Sequence, residues 1–131
     1  MDIEKVLKNL IIANFVMLGI ITAMGLSGYT TLPAALEEYS LALFDEYAFG
    51  YILVLPYLVA YITALILIYK LKPAGRTLFL WISIISVFMY FFTGPMIMDE
   101  LTSILGHASS LFDGVILGII YFSPLKDKFS K

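Results

Sequence analysis

Residues 70–76 read Lys70-Leu71-Lys72-Pro73-Ala74-Gly75-Arg76, a basic, turn-forming heptad set between two long apolar runs. The runs on either side, about 48–69 and 77–98, contain no Lys or Arg and are long enough to cross a bilayer as helices. The same grammar repeats outward. Lys5 and Lys8 precede a third run at about 10–28, and Lys126, Lys128 and Lys131 follow a fourth at about 101–122. These three places hold all eight basic residues. The two remaining polar gaps carry Glu37, Glu38, Asp45, Glu46, Asp99 and Glu100 without a single cation. Basic residues gathered on alternate loops mark the cytoplasmic side of a polytopic membrane protein. The reading is therefore an all-α, four-helix membrane bundle with both termini cytoplasmic, placed in the plasma (inner) membrane as one domain over 1–131.

Composition agrees. The chain is 61% hydrophobic and 14% charged, where a soluble domain is about 45–50% apolar and about 25% charged. Its 131 residues accommodate four crossings with short connections and no second domain. The absence of cysteine excludes disulfides, thiol nucleophiles and thiolate metal sites. The first run is longer than the roughly 7–15-residue core of a signal peptide, so it is expected to be a retained span. The lipid bilayer is the first partner, and no basic patch with interleaved aromatics points to nucleic acid.

Between spans one and two, Thr31 and Pro33 resemble a helix start. Leu32, Leu36, Tyr39, Leu43 and Tyr47 then recur at spacings of three and four. This predicts a short amphipathic helix over 32–47, lying on the outer surface or folded over the bundle mouth. Spans three and four are separated by few residues and are expected to form a tight antiparallel hairpin. Tyr29, Tyr47, Phe49 and Tyr51 at one interface, with Tyr69, Phe79, Trp81 and Tyr121 at the other, read as aromatic belts.

Asp113 lies near the centre of span four. An ionised carboxylate at that depth costs about 2.5–3.5 kcal/mol on insertion scales, and no span offers a cation to pair with it. The group is expected to be protonated, hydrogen-bonded in a wet cavity, or paired with another protein's cation. Asn14, Tyr57, Tyr61 and Tyr90 are candidate neighbours by depth alone. Asp113 reads either as a carrier of protons or cations, or as a structural acid joining span four to span one through Asn14.

Gly106, Ser110, Gly114 and Gly118 form a small-residue seam along span four, and Gly19 and Ala23 show the same spacing on span one. Such seams let backbones approach closely, gaining van der Waals contact where lipid supplies no hydrophobic drive. Packing of the two seams against each other is expected, with oligomer formation as the alternative. His107, the single histidine, falls near Asp99 and Glu100 at the outer end of span four. With no second His and no Cys, a divalent metal site is not expected, and no cofactor is implied. Ser109 and Ser110 adjoin His107 in sequence, which does not make a triad. No catalytic constellation or phosphate loop appears, and no inverted repeat marks a transporter.

Three functions fit this pattern. A non-catalytic accessory or scaffolding subunit, assembled with other membrane subunits or with itself, explains the tiny extramembrane portions. A small oligomeric transporter would use Asp113. A membrane immunity protein would contact a toxin through the 32–47 helix.

Overall fold

A computed structural model describes residues 2–28, 32–94 and 96–130, leaving out the side chains of Tyr51, Tyr90 and Ser130. The described residues form helices and no strand. The helices are α1 (Ile3–Ser27), α2 (Ala34–Glu46), α3 (Ala48–Tyr69), α4 (Pro73–Thr93) and α5 (Glu100–Phe122), followed by a 3₁₀ segment (Pro124–Ser130). Four of them, α1, α3, α4 and α5, are long and apolar enough to cross a membrane, so the chain is a multi-pass membrane protein. Thr31 and Pro95 fall outside the described residues, as does the Tyr29 of the expected aromatic belt.

Helix limits follow from local chemistry. α1 starts at Ile3, well before the expected residue 10, because the Asp2 carboxylate accepts from the Glu4 and Lys5 amides and caps the first turn. α2 starts at Ala34 with Pro33 just outside it and no side-chain cap. The turn between α3 and α4 is Lys70–Lys72 alone, closed by the Leu71 amide on the Ile68 carbonyl and the Lys72 amide on Leu67. Leu71 takes a positive φ of 55° there. Pro73 is therefore the first residue of α4, four positions before the expected start, since its missing N–H costs nothing at that site. α4 ends at Thr93 rather than 98 because Gly94 turns to φ 65°, with the Tyr47 ring packed against its bare Cα.

α3 and α4 make the most extensive contact. It depends on Gly50, where an added Cβ would stand 2.0 Å from the Phe92 carbonyl oxygen. α5 packs on α1 more than on α4, so the expected α4–α5 hairpin is not the dominant pairing. The six-residue connection lets α5 cross to α1, where Asn14 offers its acid a partner.

The core gathers at one end. Leu7 and Ile11 of α1, Leu65 and Ile68 of α3, Phe79 of α4 and Ile116 and Ile120 of α5 are all fully buried. Phe79 thus belongs to the core and not to an aromatic belt. The 3₁₀ segment completes this core by inserting Leu125 and Phe129, which the sequence reading left outside every packed element. The three basic clusters meet at the same end. Glu4 bonds both Lys8 at 2.7 Å and Lys128 at 2.5 Å. Lys8 also lies over the Tyr69 ring, and Arg76 over Tyr121. At the other end α1 stands open, with Ile20 and Leu26 exposed. Only Leu43 of α2 is buried, whereas Leu36 and Tyr39 of the expected apolar face are exposed. Large apolar surfaces left uncovered this way suit a hydrocarbon solvent, which is as apolar as leucine itself.

Candidate functional site: an intramembrane polar cluster

Three spans contribute to one polar cluster. Asn14 of α1 is fully buried, Tyr61 of α3 nearly so, and Asp113 of α5 half-buried. The Tyr61 hydroxyl donates to Asp113 Oδ1 at 2.8 Å. Asn14 Nδ2 donates to the same oxygen at 2.7 Å and to the Tyr61 oxygen at 2.8 Å. Ser109 Oγ donates to Asn14 Oδ1. The orientation of the amide follows from these partners, since exchanging its N and O would set an acceptor against the carboxyl oxygen.

The accounting closes. Asn14 uses both N–H groups and its carbonyl, and among the described residues no buried side-chain nitrogen or oxygen lacks a partner. Among these residues both bonds to the carboxyl reach Oδ1, so a proton on Asp113 resides on Oδ2. The cluster can therefore do two things. It ties α1, α3 and α5 together at mid-span, and it holds a carboxyl whose second oxygen has no hydrogen-bond partner among the described residues.

Of the sequence candidates, Asn14, Tyr61 and Asp113 come together. Tyr57 is one turn away and stacks on Tyr61 with ring centroids 6.4 Å apart. The side chain of Tyr90 lies outside the described residues. Ser109 was missed as a member. Its signal was available, because it precedes Asp113 by four positions and so shares its helical face.

The seam differs from expectation. At Gly106, Gly114, Gly118 and Gly19 an added Cβ would meet nothing within 4 Å, and Ser110 and Ala23 are exposed. The two small-residue rows do not pack against each other, because the α1–α5 contact is made by the neighbouring face that carries Asn14, Asp113 and Ile116.

The acidic residues have distinct settings. Glu37, Glu38, Asp45 and Glu46 are exposed on α2, and Glu100 in the first turn of α5. Asp99 is no free loop acid: it caps α5, accepting from the Thr102 amide at 3.0 Å and its hydroxyl at 2.8 Å. These bonds hold its carboxyl below the usual carboxylate range. His107 is exposed, with Nδ1 2.6 Å from the Ser103 carbonyl oxygen. Ser110 bonds back to the Gly106 carbonyl. His107, Ser109 and Ser110 thus each have other partners and form no nucleophile–base pair.

No family model, curated protein or solved structure matches this chain.

Proposed function

We propose that the chain is a small non-catalytic subunit of the plasma (inner) membrane, a four-helix bundle with both termini cytoplasmic, that scaffolds a larger assembly through the outer face of α5. The observation carrying this reading is the open seam. Gly106, Gly114 and Gly118 leave free space where Gly50 and Gly75 have a neighbouring backbone pressed against them. A glycine row inside a membrane helix suits close approach of another helix, and among the described residues none takes that place. The meeting of all three basic clusters at one end supports the orientation.

The test is gentle extraction from the native membrane with a C-terminal tag, followed by weighing the particle and identifying what travels with it. A stoichiometric partner supports the subunit reading, and Gly114→Leu should release it. A particle of one chain with no companion overturns it.

A second reading is favoured by Asp113 Oδ2, which has no hydrogen-bond partner among the described residues. In it the carboxyl carries a proton or cation across an oligomer. Proteoliposome flux abolished in Asp113→Asn, with the helical spectrum retained, would favour carriage. Flux equal to the wild type would remove it.

A further inference from the structure

The connection between α4 and α5 carries two methionines two residues apart, Met96 and Met98, and both line one cavity of about 450 Å³ with His107 of α5. Neither the helix contacts nor the polar cluster accounts for this grouping. Met96 and Met98 are both partly exposed, so neither thioether is consumed by the core. Gly106, which also lines the cavity, lies next to His107 and adds no side chain to fill it.

His107 is pre-set as a ligand. A carbonyl oxygen only accepts, so the 2.6 Å contact with the Ser103 carbonyl requires the hydrogen on Nδ1. In the neutral ring Nε2 then carries a free lone pair. Metal-binding histidines have this arrangement, with the far ring N–H donating to a backbone carbonyl that fixes tautomer and ring orientation. The other two donors decide which metal. Thioethers are soft and uncharged, and soft sulfur ligands select Cu(I), whereas carboxylate and water suit the hard divalent ions.

The geometry points to a soft monovalent metal site, Cu(I) or its redox-inert analogue Ag(I), held by Met96 Sδ, Met98 Sδ and His107 Nε2 at the mouth of α5. Three neutral ligands leave one positive charge on the bound ion, and Asp99 and Glu100 follow Met98 directly in the chain. No oxidation step is involved; the site binds and releases the ion. It is independent of the subunit reading and of Asp113.

The experiment uses the full chain in detergent under anaerobic, reducing conditions. Cu(I) is titrated against a chromogenic Cu(I) chelator, and Ag(I) is titrated in parallel. One equivalent should be withheld from the chelator. Met96→Leu, Met98→Leu and His107→Gln should each weaken retention by at least about tenfold, while Met17→Leu on α1 should leave it unchanged. X-ray absorption of the Cu(I)-loaded wild type should show both sulfur and nitrogen neighbours. This spectrum decides the matter even if a variant folds poorly. Failure to withhold the ion, equal loss in Met17→Leu, or a shell of nitrogen and oxygen alone would each overturn the site.

Discussion

Asn14 donates to Asp113 across 99 positions of chain, with its Nδ2 2.7 Å from Oδ1. The same amide also donates to Tyr61, so one side chain joins three spans. A clamp of this kind ranks its own substitutions by what they leave unpaired. Asn14→Leu leaves the Ser109 hydroxyl without its acceptor and takes one donor each from Tyr61 and the carboxyl, which keep only their bond to each other; it should destabilise the protein by about 1–3 kcal/mol. Asp113→Asn keeps an acceptor at the Oδ1 position and should lie near the wild type. Denaturant unfolding in micelles, followed by circular dichroism, separates the two. Equal losses would mean that the cluster does not act as a clamp.

Phe129 is fully buried although it follows every span. Phe129→Ala should cost about 3–5 kcal/mol, measured in the same unfolding assay. Exposed Lys126, three residues earlier, should tolerate alanine within about 0.5 kcal/mol. A small effect at Phe129 would show that the 3₁₀ segment is not part of the cooperative core.

Why the spans were legible and this segment was not follows from the signals involved. Lys70, Lys72 and Arg76 bracket apolar runs whose length matches a bilayer, and that matching is strong over many residues. Phe129 sits among lysines in a seven-residue stretch, too short for any period to declare its burial. The site divides the same way. Asp113 was visible because a mid-span acid is costly, and Asn14 and Tyr61 because few polar groups share its depth. Ser109 was hidden because a serine in a membrane helix usually bonds its own backbone, as Ser83 and Ser110 do here. The failed pairing of the glycine rows has a related cause. Spacing identifies a face, whereas rotation about the helix axis decides what that face meets, and here Asp113 turns the neighbouring face towards α1.

Two glycines should respond in opposite ways. Gly50→Ala drives a Cβ to within 2.0 Å of the Phe92 carbonyl oxygen, where only backbone movement relieves it, and should cost about 1–3 kcal/mol or more. Gly114→Ala meets open space and, by removing a flexible residue from a helix interior, should leave the isolated chain as stable or more so by up to about 1 kcal/mol. Thermal melts of the two variants side by side check this. Comparable melting losses would contradict the observed α3–α4 approach.

The Asp99 cap predicts a pH dependence. Its folded carboxyl is held below the ordinary value by the Thr102 amide and hydroxyl. A depressed folded pKa adds stability that is fully present above the unfolded value of about 4 and disappears as pH falls through the folded one. Asp99→Asn retains a capping acceptor but does not titrate. Melting midpoints should therefore favour the wild type at neutral pH and converge with the variant in acid. A gap that is constant with pH would show that the charge contributes nothing.

The core at the basic end closes only with Leu125 and Phe129, which come after all four long helices in the chain. Each long helix is therefore synthesised before the residues that close the core the helices share. A chain cut before residue 125 would keep all four long helices and leave an apolar socket open at the basic end. Such a chain would separate possession of the helices from their packing at that end.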